Sequence, residues 1–130
     1  MPGFILIAIG GAIGSVGRYY ASRLIMLLSG GIFPFGTMFV NVSGAIVIGF
    51  VAALSAPESP FFVSPQARLF LMTGICGGYT TFSTFSLETM ALIGDGQWMA
   101  ASLNAVGSVL LCLAAVWLGN VAAQLMGRGV

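Results

Sequence analysis

The sequence predicts an all-α integral membrane protein, and its composition carries most of that prediction. Of the 130 residues, 58% are hydrophobic and 5% are charged, whereas soluble domains carry about 25% charged residues. The mean hydropathy is +1.07. The few charges leave four long uncharged stretches, and a helix needs about 20 apolar residues to cross the hydrocarbon core of a bilayer. The chain is therefore suited to lipid rather than to water as its solvent.

We predict four transmembrane helices in a single domain that spans residues 1–130. The helices are expected near residues 3–28, 36–55, 67–90 and 97–126. Prolines support this division, because a proline lacks the amide hydrogen that a helix interior requires. All of them lie at predicted helix ends or in loops: Pro2, Pro34, Pro57, Pro60 and Pro65. The loops are short, so consecutive helices should run antiparallel as neighbours.

Composition also excludes several classes of function. A net charge of +1 without any lysine offers no basic surface for nucleic acid. The sequence has no histidine, the commonest general base and metal ligand, which argues against an enzyme. Cys76 and Cys112 lie in separate apolar runs and are interpreted as small core residues rather than as a disulfide.

The first predicted helix contains closely spaced small residues and one charge. Gly10 and Gly14 form a GxxxG spacing, which lets helix backbones pack closely in a membrane. Arg18 follows one turn later, near a membrane interface. Two interpretations of Arg18 stay open. It is either a topological anchor that reaches the headgroups or a residue that lines the vestibule of an anion path.

The second helix carries an amide among apolar residues. Asn41 lies four residues after Thr37, so the two side chains share a helix face. A polar side chain inside a membrane needs a partner or a wet cavity. Asn41 is therefore either one half of an interhelical hydrogen bond or part of a polar pathway.

The third helix contains the least helix-like stretch of the chain, GICGGYTTFSTFSLE at residues 74–88. A glycine pair followed by two β-branched threonines propagates a helix poorly, so we predict a break in mid-span. Backbone groups freed by a break are tolerated at membrane depth only where protein buries them or where they line a wet site. Freed carbonyls commonly coordinate a cation.

Beyond the break, aromatic rings and hydroxyl groups are expected to lie on different faces. On a continuous helix, Phe82 and Phe85 share one face. The opposite face then carries only hydroxyl groups, those of Thr80, Ser83 and Thr84.

The fourth helix adds a polar pair, Asn104 and Ser108, which are again four residues apart. Amide and hydroxyl donors attract anions, as do the positive edges of aromatic rings. The one acid in the third helix, Glu88, lies near its end. The embedded polar groups are therefore those of an anion pathway. A small hard anion loses most on dehydration and needs such donors most.

Arginine placement gives no instruction about orientation. With four helices, Arg68 and Arg128 lie on one side of the membrane, and Arg18 and Arg23 lie on the other. The excess of positive charge that normally marks the cytoplasmic side is thus missing. Either another feature sets the orientation, or the chain inserts both ways and pairs as an antiparallel, dual-topology homodimer.

Three segments resemble the Fluc (CrcB-type) fluoride channels: GGAIGSVGRY at residues 10–19, GTMFVNVSG at 36–44, and the stretch at 74–88. The resemblance covers essentially the whole chain, and the GGxTTFSTFSxE pattern is highly specific. It implies a dual-topology homodimer with two pores that passively exports cytoplasmic fluoride. The expected surroundings are the lipid of a bacterial inner membrane.

The resemblance also implies roles for individual residues. Phe82 and Phe85 resemble the pore-facing phenylalanines of the family, and Asn41 resembles its pore amide. With the hydroxyl motif, the basic residue of the first helix and the polar pair of the fourth, the predicted anion-pore residues are Arg18, Asn41, Phe82, Ser83, Thr84, Phe85, Asn104 and Ser108.

A structural Na⁺ is a further expectation from the resemblance. Gly77 and Thr80 resemble the positions whose backbone carbonyls hold this cation at the centre of the dimer interface. Two positions depart from the family pattern. Tyr79 stands where an aliphatic residue is expected, and Asn104 lies in a region where a tyrosine or another polar pore residue is expected.

On the residues alone, two other functions stay open. One is a small proton-coupled multidrug exporter, which is disfavoured because the first helix contains no acid. The other is a nonconducting helper subunit of a larger membrane complex.

Overall fold

The computed structural model describes residues 1–129, and every regular element in that range is helical. In chain order the elements are α1 (Gly3–Ser29), α2 (Phe35–Leu54), α3 (Pro65–Arg68), a π-helical segment (Leu69–Cys76), α4 (Gly77–Tyr79), α5 (Phe82–Gly94) and α6 (Trp98–Arg128). Helices α1, α2 and α6 are each long and apolar enough to cross a membrane. The predicted all-α class is confirmed.

The third predicted helix is a composite of several elements rather than one α-helix. It begins after Ser64, whose hydroxyl oxygen accepts a hydrogen bond from the amide of Ala67 at 3.1 Å. The chain then runs through the π-helical segment and α4. It becomes extended at Thr80 and Thr81, with φ of −84° and −152°, and resumes as α5. The predicted break is confirmed, and it follows a glycine pair that itself stays helical.

The half of this composite that precedes the break packs against α1 through glycines. A Cβ atom on Gly10 would lie 2.9 Å from the Cα of Gly74, and one on Gly78 would lie 3.0 Å from the Cα of Gly11. Gly10 and Gly14 are both buried. The close backbone packing predicted from the GxxxG spacing is confirmed.

The core of the subunit is the interface between α2 and α6. A Cβ atom on Gly49 of α2 would lie 2.9 Å from the carbonyl carbon of Val116, and one on Gly119 of α6 would lie 2.9 Å from the amide nitrogen of Phe50. Val40 beside this interface has no exposed surface. These small residues let the backbones of α2 and α6 come into direct contact.

Two glycines with positive φ mark chain reversals. Gly30, with φ of 61°, ends α1, and its amide donates to the carbonyl of Met26 at 3.1 Å. Gly96, with φ of 72°, lies in the turn before α6. Predicted and observed helix ends differ most at α5, which continues to Gly94 instead of ending at residue 90. Leu92 is buried, which explains the additional turn.

Candidate functional site

Asn41 of α2 holds the break between α4 and α5, in the third predicted membrane segment. The side-chain Nδ2 of Asn41 donates to the carbonyl of Thr81 at 3.0 Å, and its Oδ1 accepts from the amide of Thr81 at 2.7 Å. Thr81 is only 8% exposed, and a buried backbone group without a partner costs about 1–3 kcal/mol. The interhelical hydrogen bond that sequence analysis left open is therefore present. The second hydrogen on Nδ2 remains for another acceptor, since an amide has two donors.

Helix α1 holds the break from the other side. The guanidinium Nη1 of Arg18 donates to the carbonyl of Thr80 at 3.4 Å, and the hydroxyl of Ser15 donates to the carbonyl of Gly78 at 3.4 Å. Arg18 therefore bonds the backbone of the break, and it is not among the residues that line the cavity described below.

The Gly77 carbonyl is freed by the break. In a continuous α-helix it would accept from the amide of Thr81, but that amide donates to Asn41. The Thr80 carbonyl, in contrast, already accepts a hydrogen bond from Arg18. A carbonyl oxygen has two lone pairs, so both residues can still coordinate a cation, and Gly77 fits better.

The prediction that Thr80, Ser83 and Thr84 share a hydroxyl face is wrong, because it assumed a continuous helix through Thr80. The hydroxyl of Thr80 donates to the carbonyl of Cys76 at 2.9 Å, in the preceding turn. Thr81 caps α5, and its Oγ1 accepts from the amide of Thr84 at 3.2 Å. The hydroxyls of Ser83 and Thr84 lie 3.3 and 3.1 Å from the same oxygen. The hydroxyls of Thr81, Ser83 and Thr84 therefore bond one another at the first turn of α5.

A cavity of about 410 Å³ lies beside the break. Among the residues that line it are four of the predicted pore residues, Asn41, Phe82, Phe85 and Ser108. The cavity also borders both residues predicted to bind a cation, Gly77 and Thr80. Of the predicted set, Arg18, Ser83, Thr84 and Asn104 are not in its wall.

The two phenylalanines form a pair at the cavity. Their ring centroids are 5.3 Å apart, and the ring planes are inclined by 44°. Phe82 is 76% exposed on the subunit, and Phe85 is half-buried. A phenylalanine that is so exposed next to polar backbone packs little against the rest of the chain.

Both cysteines also border this cavity. Cys76 is buried, as predicted, and Cys112 is half-buried. Both are free thiols. The wall between the polar groups is mainly apolar.

A second group of polar side chains joins α5 to its neighbours. The hydroxyl of Thr37 donates to Oε1 of Glu88 at 2.8 Å. Within residues 1–129, Oε2 of Glu88 is buried without a hydrogen-bond partner. Thr37 and Asn41 share a helix face, as their spacing predicts, and the structure shows that this face contacts α5 and the break.

The polar pair of α6 is connected as its spacing predicts. The hydroxyl of Ser108 donates to Oδ1 of Asn104 at 3.2 Å, and Nδ2 of Asn104 donates to the hydroxyl of Thr89 at 2.9 Å. Asn104 is 1% exposed. It links α6 to α5, while Ser108 reaches the cavity.

Three further residues at the break, Ser15, Ser43 and Thr81, were not predicted from the sequence. Thr81 could have been found, since threonine is a preferred cap at the residue immediately before a helix resumes. Ser15 and Ser43 bond groups that the break brings near them, at the Gly78 carbonyl and the Tyr79 hydroxyl. No local pattern signals such long-range partners.

Comparison with known proteins places these features in a family. The family described as "CrcB-like protein, Camphor Resistance (CrcB)" matches residues 5–120. A "Fluoride-specific ion channel FluC" from Paramagnetospirillum magneticum is 52% identical over 125 residues, which cover 96% of this chain and 98% of the relative.

Two further relatives carry the same name. The protein from Opitutus terrae is 53% identical over 120 residues, covering 92% of this chain and 91% of the relative. The protein from Rhodospirillum rubrum is 49% identical over 127 residues, covering 98% of both chains. This multi-pass membrane chain belongs to the CrcB-like family.

Proposed function

We propose that this protein is a fluoride-selective ion channel that passively exports cytoplasmic fluoride. The observation that carries the proposal is the identity of about half of the residues, along almost the whole chain, to relatives named as fluoride-specific channels. The cavity supports it independently, because it joins the amide of Asn41 to the aromatic pair Phe82 and Phe85.

The chemistry of the cavity suits an anion. Among the described residues, the wall contains no Asp or Glu, so no carboxylate there repels a negative charge. The free hydrogen of Asn41 Nδ2 is a neutral donor, and the edge of a phenylalanine ring carries the positive end of the ring quadrupole. Neutral donors attract an anion without binding it so strongly that it cannot leave, which conduction requires.

The proposed assembly is an antiparallel, dual-topology homodimer with two pores. Phe82 and Gly77 are exposed on the chain, near the middle of the third predicted transmembrane helix. A freed carbonyl facing lipid costs several kcal/mol, about as much as any unpaired polar group in hydrocarbon. A second subunit over this surface would remove that cost. The even division of arginines between the two sides allows both orientations.

A structural Na⁺ at the centre of that interface is part of the proposal. Gly77 and Thr80 would hold it by their carbonyls, and the bound cation would supply positive charge that neutralises carbonyl dipoles from both subunits. The freed Gly77 carbonyl supports this role, whereas the guanidinium of Arg18 at the Thr80 carbonyl weakens it. We place the dimer in the bacterial inner membrane, surrounded by lipid.

The proposed function is tested by efflux from liposomes that contain the purified protein. We expect fluoride to leave rapidly and chloride to stay, with no need for a proton gradient. Equal rates for both anions would refute selectivity. Liposomes that release no ion would favour a nonconducting helper subunit, and proton-coupled uptake of a cationic dye would favour a multidrug exporter.

A further inference from the structure

Tyr79 is the last helical residue before the break, and its ring lies between α1 and α2. A Cβ atom on Gly44 of α2 would lie 3.2 Å from Cδ1 of the ring. A Cβ atom on Gly17 of α1 would lie 3.7 Å from Cδ2, on the other edge. The ring therefore occupies a slot that two glycines leave open.

The hydroxyl group attaches this ring to α2. Oη of Tyr79 lies 3.0 Å from Oγ of Ser43, and the Ser43 hydroxyl donates to the carbonyl of Phe39 at 2.7 Å. A serine hydroxyl has a single hydrogen. When that hydrogen is given to Phe39, Tyr79 is the donor to Ser43. The three groups thus form a directed chain that ends on the backbone of α2.

Helix α2 therefore forms hydrogen bonds to the chain on both sides of Thr80. Asn41 bonds the backbone of Thr81, which follows Thr80, and Ser43 bonds the side chain of Tyr79, which precedes it. Thr80 itself packs its methyl group against Gly44 of the same helix. Two attachments from one rigid helix fix the extended residues more closely than either bond alone.

We propose that Tyr79 is a positioning residue, whose hydrogen bond to Ser43 holds the break in the conformation that places Asn41 and Phe82 at the cavity. The inference rests on the proposed channel function. Tyr79 does not line the cavity, so it acts through neighbours that do. The aliphatic residue expected at this position could fill the slot, but it could not make the bond.

The test compares Tyr79→Phe, Ser43→Ala and the double variant with the intact protein. Tyr79→Phe keeps the ring and removes the hydroxyl alone. Two readouts are used: fluoride efflux from liposomes, and hydrogen exchange of the backbone amides at residues 80–82 in the purified protein. The matched control is Tyr19→Phe, because the Tyr19 hydroxyl accepts from Arg23 at 2.8 Å on an exposed face of α1.

We expect each single variant to slow fluoride efflux about fivefold, the value of one ordinary hydrogen bond. The double variant should be no slower than either single variant, since both remove the same bond. Exchange at residues 80–82 should be faster in all three and unchanged elsewhere. Ser43→Thr keeps a hydroxyl, so it should leave efflux and exchange near the intact values. Tyr19→Phe should alter neither readout.

The outcomes separate this inference from the proposed function. If the intact protein passes no fluoride, the channel function fails and exchange alone decides the inference. Faster exchange at residues 80–82 in Tyr79→Phe would then support it. If the intact protein conducts, and Tyr79→Phe matches it in both efflux and exchange, the inference is overturned while the channel function stands. Additive losses in the double variant would also overturn it.

Discussion

The two halves of the third membrane segment are attached to the subunit in different ways. Before the break, backbone meets backbone, as where Gly74 and Gly78 lie against α1. After the break, α5 is attached by side-chain hydrogen bonds, from Thr37 to Glu88 and from Asn104 to Thr89. The first half has no room for added atoms at Gly74 and Gly78, whereas the second half depends on its donors and acceptors.

This difference assigns separate tasks to the two halves. Lipid supplies no hydrophobic force between helices, so close packing of small residues and interhelical hydrogen bonds must supply the attraction. Close glycine packing is the main contact of the first half with α1, and the hydrogen bond from Ser15 to the Gly78 carbonyl adds to it. The second half carries polar groups and the phenylalanine pair that borders the cavity. Substitutions that enlarge the packed glycines before the break should therefore damage assembly, and those that remove polar or aromatic groups after it should damage conduction.

The largest expected effect comes from Gly14→Ala in α1. A Cβ atom on Gly14 would lie 2.8 Å from the amide nitrogen of Tyr79, a backbone atom that cannot swing away. We expect the variant to lose about 3 kcal/mol of stability and most of its folded protein, measured by gel filtration and thermal unfolding. Gly11→Ala is the matched control, because its Cβ would meet nothing within 4 Å. Equal recovery of the two variants would contradict the packing argument.

Asn41→Asp should give the next largest effect, on conduction. The carboxylate can still accept from the Thr81 amide, but it has no hydrogen for the Thr81 carbonyl. It also places a negative charge at the cavity, which repels an anion. We expect fluoride efflux at neutral pH to fall by more than about tenfold, with the assembled protein still recovered.

The control for that substitution is Asn120→Asp in α6. Asn120 accepts from Gln124 at 2.7 Å and is not in the cavity wall. The substitution makes the same chemical change at a residue outside the cavity wall, so fluoride efflux should stay near the intact rate. Intact efflux in Asn41→Asp would mean that Asn41 only ties α2 to the break.

Replacing all Na⁺ by a large organic cation should have an intermediate effect. Without a cation, the freed Gly77 carbonyl would lack a positive partner at the proposed interface, and the Thr80 carbonyl would have only Arg18. We expect a lower midpoint for thermal dissociation of the dimer and a slower fluoride efflux. Unchanged dimer stability and efflux would rule out a structural Na⁺.

Ser108→Ala should have the smallest effect of the series. Ser108 lines the cavity, but its hydrogen is donated to Asn104, so it offers an anion a lone pair rather than a donor. We expect efflux to fall by less than about threefold, because only one neutral hydrogen bond is lost. A loss as large as that of Asn41→Asp would show that the hydroxyl turns towards the ion.

Much of this architecture could be predicted from local sequence. Hydropathy located the long helices, and the glycine pair with two threonines located the break to within a few residues. The pairing of Asn104 with Ser108 followed from helical spacing alone. These features depend on neighbours in the chain, which is why a single sequence contains them.

The rest depends on partners that are distant in sequence. The predicted hydroxyl face is wrong because Thr80 is extended, so helical spacing does not relate Thr80 to Ser83 and Thr84. The bond of Arg18 to the Thr80 carbonyl could not be predicted, because that acceptor becomes available only after the break forms. The π-helical turns of Leu69–Cys76 have no signature in the amino acids themselves.

Fluoride efflux through Phe82→Ile, measured per assembled protein, tests the central claim most directly. Phe82 is 76% exposed on the subunit, so loss of its packing there is small, and a plain core would lose only about 1 kcal/mol from such a change. If the second half of the segment carries the pathway, loss of the positive ring edge should slow efflux about tenfold or more. Phe62→Ile, at a loop residue that is 90% exposed, should conduct at the intact rate. Intact efflux in both Phe82→Ile and Phe85→Ile would contradict the account and place the pathway along another face.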